Sequence, residues 1–437
     1  MVMLYQHRLL CCCSCLSFVA FASAISAIEW PQFRGPQGAG KAVDETAPLK
    51  WSDDENLKWK TELPGPGSSS PIIVGDRMFV TCYSGYGTGG GGSIDDLKRH
   101  LICIDRHDGK VQWDKTVDAE KPEDSYRGFI NEHGYASNTP VCDGERVFAF
   151  FGKSGVVAFD MEGKQLWKVG VGKESSNRRW GSAASLILYK DTVIVNAAEE
   201  SRTIRALDAA TGKEKWKAEG GSLELCFSTP ALVKLKDDTE ELVIPVPGEV
   251  WGLNPDTGKL KWHCDTNLTG NISPSIVSDG EGVVYVFGGY QGKGSMAIRA
   301  GGDGDVTDTQ VVWSSRITSY VPSPLVHGEH LWCVDDRGIV TCMKLKDGEE
   351  VYRRRVEGAG GGFISRPFYA SVVMVGDRLY IPSRNNGTYV IAAKTEFEQL
   401  GLNKFASDKS DFNATPAVAD GNLFLRSNKF VYCVGEK

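Results

Sequence analysis

Residues 206–216 read ALDAATGKEKW, and this stretch decides the fold. Asp208 begins a side-chain-to-backbone turn, Gly212 supplies the positive φ that the chain reversal needs, and the strand that follows carries the large aromatic Trp216. Similar segments occur in four other places, at 103–113, 158–167, 252–262 and 342–352. A turn and an aromatic side chain that recur in this way indicate one repeated structural unit.

The start of each unit shows the same regularity. A small residue, usually followed by Pro, comes before an apolar strand, a Gly-Asp or Asp-Gly turn and a second strand. The eight openings are separated by 69, 44, 46, 44, 50, 46 and 46 residues, which fits four short strands per unit. They stand at 70–71, 139–140, 183–184, 229–230, 273–274, 323–324, 369–370 and 415–416. A glycine-rich insertion at 84–93 and extra residues between 113 and 135 lengthen the first interval.

Composition agrees with an all-β repeat. The chain has 437 residues, 41% of them hydrophobic, so it is able to bury a full core. It contains 50 Gly, 11 Trp and 14 Tyr, and apolar residues at helical spacing are hard to find. Many short aromatic strands joined by tight turns are therefore expected, and disordered and collagen-like chains are excluded.

The segment 206–216 resembles the tryptophan-docking motif of the pyrroloquinoline quinone (PQQ)-like repeat propellers, and the resemblance covers residues 51–435. It implies an eight-bladed β-propeller of four-stranded antiparallel blades in a single domain, residues 57–437, after an N-terminal extension at 28–56. The family contains quinoprotein dehydrogenases and the cofactor-free propeller lipoprotein of the outer-membrane barrel assembly machinery. The opening WPQFRGP at 30–36 also resembles secreted planctomycete propellers. The expected docking residues are Trp59, Trp113, Trp167, Trp216, Trp262 and Trp313.

The two ends of the chain indicate how the ring closes. The last unit, 416–434, has residues for only three strands, and no Trp strand follows Cys433. A strand of the missing kind stands at 57–61, where the sequence reads LKWKT. Pairing of these two segments would leave no long exposed sheet edge, so we predict that an N-terminal strand completes the eighth blade.

The first 27 residues predict an export signal. Arg8 precedes an apolar run from 9 to 25, and small residues follow, with cleavage after Ala24 or Ala27. A retained membrane anchor is one alternative, although the run is slightly short for a span. A lipoprotein acylated at one of the clustered Cys residues is another. We expect the mature chain to be exported, periplasmic or extracellular, monomeric and without a stable membrane span.

Charge argues against nucleic acid as a partner. The formal net charge is −7, and removal of the signal segment, with Arg8 as its one charged residue, makes it −8. Binding to phosphate needs clustered cations, and no basic run of consequence is present.

Eight Cys residues remain after the signal segment. Cys103, Cys342 and Cys433 occupy the repeat position that holds Ala158, Ala206 and Gly252 in other units, so they are interpreted as small buried side chains. A disulfide between Cys333 and Cys342 across a hairpin is an alternative. No Cys-x-x-Cys spacing of a metal or redox site occurs.

The enzymatic hypothesis is a quinoprotein dehydrogenase. By resemblance, such enzymes stack the quinone on a Trp, cover it with a disulfide of adjacent Cys residues, and surround Ca²⁺ with carboxylate and Asn ligands. Trp180 and Trp251 are candidate stacking surfaces, but both have packing roles as alternatives. The chain after residue 27 has no adjacent Cys pair and lacks the loop insertions of those enzymes. PQQ and Ca²⁺ are therefore not expected as cofactors.

Two further motifs point to turns and loops rather than to chemistry. The glycine-rich 87–93 lacks the Gly-Lys-Ser/Thr ending of a phosphate loop. Asp303, Asp305 and Asp308 are a weak Ca²⁺ candidate, since hard cations favour carboxylates, but they stand where other units have an Asp-Gly turn. A serine nucleophile with an ordered His and Asp is not found.

The loops that lead into the innermost strands form the channel mouth, where propellers usually bind their ligands. In repeat register these loops mix aromatic, Arg and amide side chains, as a recognition surface does. The candidates are His133, Tyr135, Asn138, Arg178, Arg179, Trp180, Asn271, Tyr320, Arg366, Tyr369 and Asn413. The alternative is that such residues only bond neighbouring backbone.

A complete blade repeat without a catalytic constellation predicts a binding or scaffold module. The expected partner is an envelope protein. A carbohydrate-binding propeller and a quinoprotein alcohol or sugar dehydrogenase are the alternatives.

Overall fold

The computed structural model describes residues 1, 28–359 and 366–436. Apart from Met1, the predicted signal segment 1–27 lies outside the described residues. The described residues form eight β-sheets that follow one another in chain order, each built around four antiparallel strands. The eight-bladed propeller predicted from the repeat is therefore confirmed.

The first three strands precede the blades: β1 (Ile28–Trp30), β2 (Lys41–Ala42) and β3 (Leu57–Glu62). Blade 1 contains β4 (Ile72–Val74), β5 (Arg77–Ser84), β6 (Lys98–Asp105) and β7 (Val111–Asp118). Blade 2 contains β8 (Val141–Cys142), β9 (Arg146–Phe150), β10 (Val156–Asp160) and β11 (Gln165–Val169). Blade 3 contains β12 (Ile187–Tyr189), β13 (Thr192–Ala197), β14 (Thr203–Asp208) and β15 (Glu214–Glu219). Blade 4 contains β16 (Ala231–Lys234), β17 (Glu240–Val246), β18 (Glu249–Leu253) and β19 (Leu260–Asp265).

Blade 5 contains β20 (Val277–Ser278), β21 (Val283–Gly288), β22 (Gly294–Arg299) and, after the short β23 (Gly304–Asp305), β24 (Val311–Ser315). Blade 6 contains β25 (Leu325–His327), β26 (His330–Val334), β27 (Ile339–Lys344) and β28 (Glu350–Arg355). Blade 7 contains β29 (Val373–Val375), β30 (Arg378–Ser383), β31 (Gly387–Ala392) and β32 (Gln399–Asn403). Blade 8 contains β33 (Ala417–Ala419), β34 (Asn422–Arg426) and β35 (Phe430–Gly435).

The helices of the described residues are single turns. They are α1 (Ile130–His133), α2 (Ala198–Ser201) and α3 (Thr307–Gln310), with 3₁₀ turns at Pro36–Gly38, Ile94–Asp96, Gly152–Ser154 and Gly221–Leu223. None of these helices has the length and apolar character needed to cross a membrane.

The eighth blade is completed from the N-terminal side, as predicted. Strand β3 pairs antiparallel with β35, and Trp59 lies opposite Cys433. Trp59 thus takes the position in blade 8 that Trp113 takes in blade 1, where it lies opposite Cys103. One blade built from both ends of the chain ties the ring together.

Three sheets depart from the expected four antiparallel strands because a short segment adds a fifth. Strand β1 pairs antiparallel with β4 of blade 1. Strand β2 pairs parallel with β29 of blade 7, and β23 pairs parallel with β19 of blade 4. The N-terminal extension is therefore part of two blades.

The docking tryptophans join neighbouring blades through the turn that closes each unit. In five of them the indole N–H donates to a carbonyl oxygen of the next blade, at 2.8–3.0 Å. The pairs are Trp59 with Arg106, Trp113 with Met161, Trp167 with Ala209, Trp216 with Pro255, and Trp313 with Leu345.

The turn glycine of the next blade lies directly under the docking ring. At Gly212, with φ +72°, an added Cβ would lie 2.7 Å from the ring of Trp167. Gly109 has the same relation to Trp59. The glycine of the motif therefore serves both the turn and the contact between blades.

Trp262 does not dock on the next blade. Its indole N–H donates to Glu241 Oε2 of the same blade at 2.7 Å. Blade 5 carries the insertion with β23 and α3 where other blades have the Asp-to-Gly turn, so the usual carbonyl is absent. Glu241, fully buried, instead bonds Trp262, the Lys261 ammonium and the amide of Gly301.

The small residues of the repeat lie opposite the docking aromatics. Cys103 faces Trp113, Cys342 faces Tyr352, and Ala206 faces Trp216 across the outer strand pair. All eight described Cys residues are buried and free, which confirms the interpretation of Cys103, Cys342 and Cys433 as small core side chains. The alternative disulfide does not form: Cys342 lies opposite Trp332, so the adjacent Cys333 points to the other face of the sheet.

Candidate functional site

A cavity of about 170 Å³ lies in the central channel, at the mouth formed by connections into the innermost strands. Neighbouring strands are antiparallel, so these connections lie on the same face as those between the second and third strands of each blade. Its upper lining consists of Ser68, Phe129, Glu132, His133, Ser137, Trp180, Ala183, Phe227, Asn271, Ser273, Tyr320, Val321, Tyr369 and Asn413. We call this space the channel cavity.

Eight hydroxyl residues, one per blade, encircle the channel cavity. We call them the hydroxyl ring: Ser70, Thr139, Ser185, Thr229, Ser275, Ser323, Ser371 and Thr415. The backbone N–H of each donates to the hydroxyl oxygen of the next, at 2.9–3.2 Å. The last bond, from the Thr415 amide to Ser70 Oγ at 3.1 Å, closes the circle. These bonds hold the eight innermost strands at fixed positions around the channel.

The N-terminal strap, residues 28–42, crosses the opposite end of the channel. Its Pro31 carbonyl accepts from the Cys142 amide of blade 2 at 3.0 Å, and its Pro36–Gly38 turn contacts β16 of blade 4. On the far side its Gly40 carbonyl accepts from the Met374 amide of blade 7 at 2.9 Å. Phe33 of the strap lines the channel cavity, which therefore has a floor.

One side of the mouth is an aromatic wall of Phe129, Trp180 and Phe227. The ring centroids of Phe129 and Trp180 are 4.4 Å apart in a T-shaped arrangement. Trp180 stacks on Phe227 with centroids 6.0 Å apart. The three rings come from three successive connections between blades, so an apolar surface forms where no single loop could supply one.

Arginine–tyrosine pairs form the other side. The guanidinium of Arg366 lies over the Tyr320 ring at 4.6 Å and is paired with Asp336 at 3.3 Å. Arg384 lies over the Tyr369 ring at 4.8 Å. Only the tyrosines of these pairs line the channel cavity; the arginines hold them from behind.

His133 and Asn413 bring hydrogen-bonding groups to the mouth. His133 Nε2 lies 2.8 Å from the Trp180 carbonyl oxygen, which only accepts, so Nε2 carries the proton. Burial lowers the His133 pKa, which keeps the ring neutral. Asn413 Nδ2 donates to the Glu132 carbonyl at 2.9 Å, and its Oδ1 has no partner among the described residues.

Five predicted mouth residues do not line the channel cavity: Arg366, which lies behind Tyr320, and the four described next. Tyr135 is buried behind the mouth, where its hydroxyl donates to the Asp124 carbonyl at 2.7 Å. Asn138 is also buried and ties blade 2 to blade 3 through Ser182 Oγ and the Ala184 carbonyl. Arg178 and Arg179 are exposed and do not line the channel cavity; Arg178 lies 5.7 Å from the Trp180 ring, at the rim.

Sequence reasoning missed Phe129, Glu132, Phe33 and part of the hydroxyl ring. Phe129 and Glu132 belong to the insertion between blades 1 and 2, which has no counterpart in the repeat. The ring residues Ser185, Ser275 and Ser371 stand two residues after the openings identified in their units. A hydroxyl residue that recurs every 44–48 residues after the first interval was the signal that would have found them.

The Ca²⁺ candidate at 303–308 and the second candidate stacking residue, Trp251, both have structural roles. Asp305 accepts from the amide and the hydroxyl of Thr307, at 3.0 and 2.7 Å, and so caps its own turn. Asp303, Asp305 and Asp308 belong to no group of three or more His, Cys, Asp or Glu residues, within the described ranges, that could hold a metal ion. Trp251 is buried in the core between blades 3 and 4.

The side chains at the mouth do not fit a bound PQQ with its Ca²⁺ ion. A Ca²⁺ ion takes six to eight oxygen ligands, several of them carboxylates. The one carboxylate side chain that lines the described part of the channel cavity is Glu132, and Arg384 binds it. All the described Cys residues are buried and free, so no disulfide lies over the mouth.

A second, smaller cavity lies behind the aromatic wall, between blades 2 and 3, and contains buried charges. Lys153 pairs with Asp124 at 2.8 Å, and Arg99 pairs with Glu123. Glu199 and Glu200, from α2, each keep one carboxylate oxygen without a partner among the described residues.

Burial raises the pKa of Glu199 to about 7 and, with the nearby Glu199 charge, that of Glu200 to about 8. These carboxyls therefore titrate near neutral pH rather than at their ordinary acidic values.

Known proteins resemble this chain over much of its length. Outer membrane protein assembly factor BamB of Shewanella oneidensis is 24% identical over 239 residues, 51% of this chain and 57% of that protein. Polyvinylalcohol dehydrogenase of Sphingopyxis sp. is 26% identical over 212 residues, 45% of this chain and 28% of that protein. The chain thus spans less than two thirds of the length of these curated relatives.

Solved structures share the fold. BamB from Moraxella catarrhalis superposes with a TM-score of 0.58 at 14% identity, over 86% of this chain and 98% of that chain. A europium-containing methanol dehydrogenase gives a TM-score of 0.61 at 11% identity, over 94% of this chain and 98% of that chain. At these identities the likeness concerns the fold alone.

The family described as outer membrane protein assembly factor BamB matches residues 97–354. This match runs from β6 of blade 1 through blade 6 and covers more than half of the chain. The protein therefore belongs to this family of PQQ-repeat propellers.

Proposed function

We propose that this protein is an exported, non-catalytic propeller that binds a protein or ligand of the cell envelope at its channel mouth. The observation that carries the proposal is the channel cavity, which joins an aromatic wall to amide, imidazole and hydroxyl groups above a floor to which Phe33 contributes. Preformed apolar surface beside a few fixed polar groups is typical of binding sites. The relatives named as assembly factors support a scaffold role in the envelope.

The site residues we assign to binding are Trp180, with Phe129 and Phe227 beside it, and Tyr320, Tyr369, His133, Asn271 and Asn413 around it. Arg178 and Arg179 extend the site at the rim. Tyr135, Asn138 and Arg366 act behind it by positioning the connections. A glycan is the alternative occupant, since aromatic rings beside amides also suit sugars.

Capture from an envelope extract tests this proposal. The full chain is immobilised as wild type, as the Arg179→Ala/Trp180→Ala variant and as Leu166→Ala, which alters an exposed residue of an outer strand. We expect the same bound species on wild type and Leu166→Ala and its loss on the double variant. Equal capture by all three would contradict binding at the mouth.

A quinoprotein dehydrogenase is the second candidate, favoured by the sequence relatives that are named as polyvinylalcohol dehydrogenases. It predicts a saturable rise in melting temperature and Ca²⁺-dependent dye reduction when PQQ and Ca²⁺ are added. Because the donors at the mouth do not fit these groups, we expect neither response. Either response would replace the binding proposal with the enzymatic one.

A further inference from the structure

The hydroxyl ring has unused hydrogen-bonding capacity. Each of its eight oxygens accepts one backbone N–H, and none of the eight hydroxyls donates to an atom of the described chain. Every ring residue is buried, with at most 8% of its surface exposed, and all eight line the channel cavity. A hydroxyl group carries one donor, so eight O–H donors are available to whatever occupies the channel.

Two buried guanidinium groups stand next to this ring. Arg34 Nη2 donates at 2.5 Å to the carbonyl of Pro324, the residue after Ser323 of the ring. Arg426 Nη1 donates at 2.8 Å to the carbonyl of Ser69, the residue before Ser70 of the ring. Arg34 and Arg426 are each 1% exposed. Each positive charge therefore lies against the backbone of a residue next to the ring in sequence, one in blade 6 and the other in blade 1.

Within the ranges the structure describes, no carboxylate pairs with Arg34 or Arg426, and each guanidinium keeps its Nε and one Nη without a partner. Burial lowers their pKa values, to about 9 for Arg34 and about 10 for Arg426. A buried charge without a partner is strongly unfavourable, and a nearby charge of opposite sign relieves this cost.

The channel cavity itself supplies no such negative charge. Glu132, its one described carboxylate, is bound by Arg384, and the neighbouring His133 is neutral. The hydroxyl ring thus presents eight O–H donors to the cavity, while the two buried guanidinium charges lie outside the cavity lining, against backbone carbonyls beside the ring. The aromatic wall of Phe129, Trp180 and Phe227 lies above the ring on one side of the cavity.

We propose that the hydroxyl ring binds an anionic oxygen group, a carboxylate or a phosphate, either as a free ion or as the end of a larger ligand. In the second case the rest of the ligand packs against the aromatic wall of Phe129, Trp180 and Phe227. The inference rests on the proposed function, because it gives the chemical class of what the mouth receives.

Calorimetric titration with three small probes tests this inference on the full chain, in a zwitterionic buffer free of chloride. Benzoate carries the anionic group and an aromatic ring, benzamide is its neutral counterpart, and inorganic phosphate is the free ion. We expect benzoate to bind at least tenfold more tightly than benzamide. A phosphate affinity above that of benzoate indicates a free ion, and the reverse order indicates the end of a larger ligand.

The charge requirement is tested with Arg426→Met, which keeps the volume and removes the cation. We expect it to lower benzoate affinity at least tenfold and to leave benzamide binding unchanged. Should this variant fail to fold, wild-type crystals soaked in bromide replace it. We then expect an anomalous peak within hydrogen-bonding distance of at least two ring hydroxyls.

Equal affinities for benzoate and benzamide, or a bromide map with no peak in the ring, would overturn the anion inference. Titration of the Trp180→Ala variant with benzoate and benzamide distinguishes failure of the anion inference from failure of the proposed function. If that variant loses both aromatic probes while they bind wild type equally, the mouth is a binding site for neutral ligands and only the anion inference fails.

Discussion

Trp180 and Phe227 stack on each other with their ring planes 30° apart, although they belong to successive connections between blades. The Trp180 carbonyl is held at 2.8 Å by His133 from the preceding connection. Trp180 is therefore fixed from both sides before any ligand arrives. A surface held in this way loses little conformational freedom on binding, which favours affinity.

This arrangement predicts a graded response at position 180. Trp180→Phe keeps an aromatic face against Phe227 and should retain most of the ligand or partner capture, whereas Trp180→Ala should lose it. Loss of one central aromatic contact typically costs about 2 kcal/mol or more of binding free energy. Capture measured side by side, with melting temperature as the folding control, checks the order. Equal losses in both variants would show that stacking is not what the residue contributes.

The docking motif predicts a sharp difference between two glycines. Gly212→Ala places a methyl group against the Trp167 ring and forces Ala to a φ of +72°. Steric strain and overpacking together should lower the free energy of unfolding by about 2 to 4 kcal/mol. Gly170→Ala, with nothing within 4 Å and no positive φ, should change it by less than about 0.5 kcal/mol. Denaturant unfolding of both variants measures the difference, and similar values would contradict the docking account.

Ring closure predicts that strand β3 is essential to stability. Trp59→Ala removes a buried ring and its bond to Arg106, and should cost about 3 to 5 kcal/mol. Deletion of 56–62 should lower the melting temperature further and promote oligomers, because the edge of β35 becomes free to pair. Val111→Ala, at an exposed site of β7, is the control. A deletion variant as stable and monomeric as wild type would refute closure by β3.

The buried pair Glu199 and Glu200 predicts a pH dependence of stability. Their folded-state pKa values, about 7 and about 8, lie above the ordinary 4.5. The folded state therefore holds protons that the unfolded state releases. Their contribution to stability is present below pH 4.5 and is lost as the pH rises through 7 and 8.

Glu200→Gln removes one of these titrations. Between pH 5 and 9 the melting temperature should fall less steeply for this variant than for wild type. Glu145→Gln, at an exposed site, should follow wild type. Parallel curves for wild type and Glu200→Gln would show that Glu200 does not titrate in this range.

The fold could be predicted because each blade repeats its own local signals. The Asp-to-Gly turn, the docking Trp and the small residue opposite it recur closely enough to set the blade count and the closing strand. Trp262 was assigned the same role, but its partner depends on an insertion in the neighbouring blade. The motif in one unit therefore does not show whether the next unit has a backbone carbonyl that can accept the indole N–H.

The site could be predicted less well. The repeat indicates which connection a residue stands in, but it does not indicate whether its side chain points into the channel or into the protein. Trp180, Tyr320, Tyr369 and Asn413 stand in the expected connections and line the channel cavity. Tyr135 and Asn138 stand in equally plausible positions but turn into the protein. There they donate hydrogen bonds to Asp124, Ser182 and Ala184. Phe129 lies in an insertion, outside any repeat register.

The most direct test of binding at the mouth is site-specific photo-crosslinking. Benzoylphenylalanine replaces Phe129, which lines the channel cavity, or Leu166, which is exposed on an outer strand, and the full chain is irradiated in an envelope extract. The account predicts a defined adduct from position 129 that disappears when Trp180→Ala is added, and none from position 166. An adduct from position 166 with none from position 129 would contradict it.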